Sequence, residues 1–266
     1  MSLTGEGRAH RRLIRRNAEA WEDWGRIDPL WAILTEPSYQ KGRWDLAEFL
    51  TTGERAVSAV LETARQWKVP LRWRQALDFG CGVGRLTRPL AARAGSAVGL
   101  DISSSMIARA SELNSQIANL RFELHTDPDL ARFADGSFDV VVSLFVLQHI
   151  PDVAAIERYV GELVRVLATG GLAVIQLPFD KPAPAARSLR SRLALRRRAT
   201  GALRRLGVPA AFLYRHLRWQ PDMPMNAVPQ ARVKQLIADA AGELLHVDSN
   251  TDFGGVRHAY YYISKQ

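Results

Sequence analysis

Cysteine is nearly absent from this chain, with Cys81 alone among 266 residues. An intrachain disulfide is therefore excluded, and a reducing compartment is the expected one. Long apolar runs are also missing, and none approaches the roughly 18–20 residues a membrane-spanning helix needs. The opening Met-Ser-Leu-Thr-Gly-Glu-Gly-Arg lacks the apolar centre of a secretory leader, so a cytoplasmic location is expected. No grouping of residues reads as a metal site, and no internal repeat is found. Acidic residues are missing locally: Lys181–Gln220 holds eleven Lys/Arg and no Asp or Glu. The rest carries 25 basic against 27 acidic residues, so the net charge of +9 belongs to one segment.

What is present is ordinary globular composition, 47% hydrophobic and 24% charged, enough for one large domain with additions at its edges. Residues 1–70 read as a helical cap. Trp21, Trp24 and Trp31 recur at helical spacing, although Asp28-Pro29 predicts a break between them. A second helix is predicted from Thr52 to Trp67. From Leu71 the pattern changes to apolar runs at 75–79, 97–100, 120–124, 138–144 and 172–177. Helical stretches near 83–93, 104–114 and 152–167 separate them. This alternation predicts an α/β fold, a mostly parallel sheet with helices on both faces. A basic helical insertion is expected at 179–225, then a helix at 228–241 and strands at 243–248 and 258–264. Residues 71–266 form the main domain in this reading.

The chemistry concentrates where the first strand ends. In Leu77-Asp78-Phe79-Gly80-Cys81-Gly82-Val83-Gly84-Arg85-Leu86-Thr87 a strand enters a tight turn and a helix leaves it. Glycine serves where backbone must approach a ligand or take positive φ, and the helix beyond offers free N–H groups. The dinucleotide fingerprint Gly-x-Gly-x-x-Gly would need glycine at 85, where Arg85 stands. The second strand, Val98-Gly99-Leu100-Asp101, ends in a carboxylate suited to a ribose diol. Asp101 could equally cap the helix that starts near Ser103. Turn and acid together mark a nucleoside-containing ligand at the C-terminal ends of the strands.

These residues carry a resemblance. Leu77–Thr87 looks like the first motif of the class I S-adenosylmethionine-dependent methyltransferases, and Val98–Met106 resembles the second. Phe133–Ser143, Leu147–Ile150 and Leu163–Gly171 are similar to later motifs of the family, in the family's order. The likeness is close over 75–178 and loose over 225–264. It implies a Rossmann-like, seven-stranded, mostly parallel sheet, with S-adenosylmethionine as cofactor and S-adenosylhomocysteine as its product. By resemblance, Gly80, Cys81, Gly82 and Gly84 would shape the methionine pocket and Asp78 would orient the amino group. Asp101 would take the ribose, and Ile102 and Met106 would pack near the adenine. The acid expected after the third strand falls on Asp127, with Thr126 and Asp129 as alternatives. Ser143 and Phe145 would line the wall between cofactor and acceptor.

His149 follows the fourth strand and is the candidate catalytic base; its other reading is a histidine bonded to backbone that shapes the loop before Pro151. The aromatic and charged turn Tyr39–Asp45 is a candidate lid through Tyr39, Arg43 or Trp44. For the arginine-rich insertion, with Leu189, Leu193, Leu203 and Leu206 on one stripe, three readings stand open. They are a solvated lid helix, a collar for an acidic acceptor, and docking at an anionic membrane surface. Nucleic acid is disfavoured because no recognised binding module accompanies the arginines. The expected acceptor is a small molecule, such as a sugar, glycolipid precursor or natural-product intermediate, methylated at oxygen or nitrogen. The alternatives are an RNA or protein acceptor, or a non-catalytic cofactor-binding subunit.

Overall fold

The computed structural model describes residues 5–180, 199–204, 206–217, 219–251 and 255–266, with side chains from Arg12 onward. Seven strands form one sheet in the order β3-β2-β1-β4-β5-β7-β6. They are β1 (Gln75–Phe79), β2 (Ser96–Asp101), β3 (Leu120–Leu124), β4 (Phe138–Ser143), β5 (Leu167–Pro178), β6 (Gly242–Thr251) and β7 (Arg257–Lys265). The first five run parallel, while β7 is antiparallel to both β5 and β6. The chain winds outward from β1 to β3 and then returns beside β1 as β4. That reversal opens a crevice at the C-terminal ends of β1 and β4, where ligands bind in open α/β sheets.

Burial explains the composition of the strands. Every residue of the central β4, Phe-Asp-Val-Val-Val-Ser, is buried, as both faces are covered by helices. The edge strand β3 instead has only half-buried and exposed positions. On one face α3 (Leu46–Gln66) and α4 (Thr87–Ala91) pack Val57, Val60, Leu61, Leu86 and Leu90 on Ala76, Val140 and Val142. On the other, α6 (Val153–Arg165) and a late helix at Gln230–Asp239 set Ile156, Val160, Leu163, Val233 and Ile237 against Leu77, Phe79 and Val141.

The helices start where the sequence provides caps. Asp45 accepts the Glu48 N–H of α3, and Asp152 accepts the N–H groups of Ala154 and Ala155 in α6. The Asp45 cap starts α3 at Leu46, earlier than the predicted Thr52. Helix α1 (Gly5–Ile27) stops at the predicted break, and α2 begins at Pro29 and runs to Ile33. The first residues of β5 were expected to continue a helix. Pairing of Leu167 with Phe138 draws them into the sheet instead.

The Asp28 carboxylate at the break is 3% exposed and gathers three hydrogen bonds on one oxygen. Its Oδ2 accepts the N–H groups of Lys41 (2.7 Å) and Gly42 (3.1 Å) and the Tyr214 hydroxyl (2.8 Å). Tyr214 lies on α7 (Ala210–Leu217), after the basic segment. Residues 181–198, including Leu189, Leu193 and most of the arginines, lie outside the described residues. Of the remainder, Leu206 is 80% exposed, and Arg204 pairs with Asp23 on α1 at 2.9 Å and covers the Trp219 ring. The helix at Gln230–Asp239 is α8.

Candidate functional site

The glycine turn is held open by backbone bonds that only its own geometry permits. The N–H groups of Gly80 and Cys81 both donate to the Leu100 carbonyl, at 2.8 Å each, tying the exit of β1 to the end of β2. Gly82 has φ +53°, and a Cβ added there would sit 2.5 Å from Ile33 Cδ1 of α2. Its N–H donates to Asp101 Oδ2 at 2.8 Å, while Asp101 Oδ1 accepts the Ser103 N–H at 2.9 Å. Ser103, not Asp101, caps α5 (Ser104–Leu113) through the Met106 N–H. Asp101 is thus free of the capping duty, and its carboxylate retains lone pairs for a ligand. Desolvation raises its pKa, against the N–H bonds from Ser103 and Gly82.

A cavity opens over this turn. Its floor is made by Gly80, Gly82, Asp101, Ile102, Met106 and the segment His125-Thr126-Asp127. Phe145, Val146, His149 and Ile150 form one wall, with Tyr159 of α6 below them. Ile14, Asn17 and Trp21 of α1, with Ile33 of α2, complete it from above. The predicted Gly80, Gly82, Asp101, Ile102, Met106, Asp127, Phe145 and His149 therefore meet in one place. Asp78, Cys81, Gly84 and Ser143 lie outside the lining. Asp78 accepts the Thr87 hydroxyl at 2.6 Å and is pushed up to about 6 by burial, opposed by that hydroxyl and by Arg85. Cys81 is a buried thiol raised well above its ordinary range by desolvation. Gly84 faces Phe122 and Asn114, and Ser143 is fully buried.

Phe145 has φ +63°, a conformation that costs a non-glycine residue on the order of 1–3 kcal/mol. Its N–H is fixed by Gln176 Oε1 at 2.9 Å, and the bend turns Val146 and the short helix Leu147–His149 toward the cavity. There the Nδ1–H of His149 donates to the Pro224 carbonyl at 2.7 Å. Nε2 then carries the lone pair and lies 3.3 Å from the Gln148 amide nitrogen. Burial holds the imidazole down to about 4, and Trp21 packs edge-on against it at 5.3 Å. A neutral, bonded histidine of this kind positions a wall and is a weak base.

The roof differs from the expected lid. Tyr39 stacks on Trp44 at 3.7 Å, Arg43 bonds the Gln40 carbonyl, and none of the three reaches the cavity. Helix α1 takes that place because Glu22 clamps the start of α5. Its carboxylate accepts the Ser103 and Ser104 hydroxyls and the Ser105 N–H, at 3.0–3.1 Å. Partial burial pushes the Glu22 pKa up, but the Ser105 N–H and the serine hydroxyls outweigh it and the net shift is downward. Close approach depends on Gly25, where a Cβ would fall 2.2 Å from Ser105 Oγ. Sequence reading missed Ile14, Asn17, Glu22, His125 and Tyr159; no local pattern marks residues that meet only across elements.

A crevice at the switch point, with a glycine turn and a carboxylate at neighbouring strand tips, defines a nucleoside-binding domain of Rossmann type. Residues 77–175 match the family model described as a methyltransferase domain, in keeping with the resemblance to the class I S-adenosylmethionine-dependent methyltransferases. It is 35% identical over 98 residues to a ubiquinone biosynthesis O-methyltransferase of Albidiferax ferrireducens, covering 36% of this chain and 39% of that one. It is 39% identical over 100 residues to a 2-methyl-6-phytyl-1,4-hydroquinone methyltransferase of Synechocystis, covering 37% of this chain and 30% of that one. The matched stretch therefore spans well under half of these relatives. The fold is similar to that of a magnesium protoporphyrin IX methyltransferase from Synechocystis solved with bound S-adenosylmethionine. There the TM-score is 0.54 at 17% identity, covering 94% of this chain and 97% of that one.

Proposed function

We propose that the chain transfers a methyl group from S-adenosylmethionine to oxygen or nitrogen of a small acceptor with an apolar ring or chain. The observation that carries this is a cavity in which Gly80, Gly82 and Asp101 share a floor with His125–Asp127 under α1. The residues present suit the cofactor. Positive φ at Gly80 and Gly82 opens the turn, the Asp101 carboxylate suits a ribose diol, and Ile102 and Met106 offer apolar surface to a base. When bound, the cofactor supplies a methyl group on a sulfonium, already activated for transfer. What remains for the protein is to align the acceptor and exclude water.

Trp21, Ile14, Val146 and Ile150 supply apolar walls for that task, and Asn17 brings a buried Oδ1 without a protein partner. This lining favours an acceptor that is apolar and carries a hydroxyl or amine, in keeping with the quinol-pathway relatives. The α1 roof disfavours RNA or protein acceptors. Calorimetry should detect binding of S-adenosylmethionine and S-adenosylhomocysteine and none of nicotinamide dinucleotides. Methyl-labelled cofactor should then pass label to apolar phenols or hydroquinones in preference to free sugars. Absence of heat with either sulfur compound would refute the reading.

A further inference from the structure

Among the described residues six large apolar side chains stand exposed, and three of them, Leu206, Phe212 and Leu217, fall within one short stretch of chain. Single exposed leucines are ordinary on a protein surface, whereas a cluster marks a contact site. The backbone shows why this cluster faces outward. Helical residues 199–204 end in a left-handed turn at Gly207, φ +85°. There the Gly207 N–H donates to the Arg204 carbonyl and the Val208 N–H to the Leu203 carbonyl, at 3.0 Å each. That ending half-buries Leu203 and Val208 and leaves Leu206 80% exposed. Pro209, also exposed, then opens α7, its carbonyl accepting the Phe212 and Leu213 N–H groups at 3.1 and 3.2 Å. Helix α7 divides its faces. Leu213 and Tyr214 are buried, while Phe212, Arg215 and His216 are exposed, the Phe212 and His216 rings 4.6 Å apart.

Charge selects the partner. From Ala199 to Pro221 the chain has four arginines and no Asp or Glu. We propose that this corner docks on a bilayer surface of anionic lipids, Leu206, Pro209 and Phe212 entering among the headgroups while Arg215 meets their phosphates. A second copy would bring its own arginines to the same contact with no acid to answer them. Nucleic acid would answer the charge and leave Leu206 and Phe212 without a partner. No described helix is long and apolar enough to cross a membrane, so the contact is at the surface. The corner is tied to the cap: Tyr214 donates to Asp28, and Arg204 pairs with Asp23, two residues beyond Trp21 of the cavity roof. Docking therefore sets α1 beside the layer in which an apolar acceptor dissolves. It needs only this surface and is independent of the methyl-transfer reading.

Sedimentation with vesicles of phosphatidylglycerol and phosphatidylcholine, against phosphatidylcholine alone, tests the docking. Wild type should partition onto the anionic vesicles at least about tenfold more strongly and lose most of that binding in high salt. The double variant Leu206→Ser, Phe212→Ser should bind them at least about tenfold more weakly, with its melting midpoint kept. Because Cys81 is buried, a Leu206→Cys variant can be labelled at that one position with an environment-sensitive fluorophore. Its emission should shift to the blue on anionic vesicles, a readout that holds even where the double variant fails to fold. Equal partition onto both vesicle types, an unshifted fluorophore, or undiminished binding by a folded double variant overturns the proposal. Self-association of wild type that the double variant abolishes would make the corner a contact between copies and overturn it as well.

Discussion

At the scale of single residues, burial has moved the protonation of a group in the cavity wall and of another in the strand beneath it. His149 is held down to about 4 from its ordinary 6.5, so the unfolded chain takes up its proton first as pH falls. Its contribution is present above pH 6.5 and is lost on the way down to pH 4, on the order of 3 kcal/mol. Asp78 works in the opposite sense. Its carboxyl is raised from 3.8 to about 6, so the folded state is protonated first and gains stability as pH falls through that window. The two offset each other between pH 6 and 4. Asp78→Asn removes the compensation, and its melting midpoint should drop more steeply than that of wild type between neutral pH and about pH 4. Parallel melting curves for the two proteins would contradict the assignment of Asp78.

Legibility at this scale followed chain proximity. Gly80, Gly82, Asp101, Ile102 and Met106 lie within strand–turn–helix signals, so a local pattern places them at the cavity. Asp78 belongs to the same motif, but its position in β1 turns it toward Thr87. The role of His149 required the Pro224 carbonyl, which lies 75 residues away in sequence.

At the scale of elements, α1 decides whether the cavity is roofed. Two devices hold it: the Glu22 carboxylate on the start of α5, and the close passage of Gly25 over Ser105. Ser105 has no freedom to yield, because its hydroxyl donates to the Glu22 carbonyl at 3.1 Å. Gly25→Leu should therefore lift α1 from α5, exposing it to limited proteolysis and weakening S-adenosylhomocysteine. Glu22→Gln keeps the shape and loses the charge at a helix N-terminus, a cost of about 0.5–1 kcal/mol. It should leave α1 protected. Equal protease sensitivity of wild type and Gly25→Leu would show that the close passage is not needed. The tryptophan spacing of α1 was readable, as was its end at Asp28. Its docking site was not, because a carboxylate that caps a helix about eighty residues later leaves no periodic trace.

At the scale of the molecule, the cap and the segment after β5 are joined. Asp28 at the end of α1 holds Tyr214 of α7, and Trp24 packs edge-on against the same ring at 5.8 Å. Arg204 adds its ion pair to Asp23. Tyr214→Phe leaves a buried carboxylate with one donor fewer, which costs about 1–3 kcal/mol. Hydrogen exchange should then rise together in 28–42 and 210–217. Exchange confined to one segment would show that the two additions move independently.

The sequence by itself determined the sheet, the order of its helices and the nucleoside end of the cavity, since apolar period, caps and glycine turns act over a few residues. Only the tertiary structure decided the roof, the bonding of His149 to the Pro224 carbonyl and the duty of Asp28. Each of these depends on hydrogen bonds between groups far apart in the chain, whose meeting is fixed by packing and has no local signature.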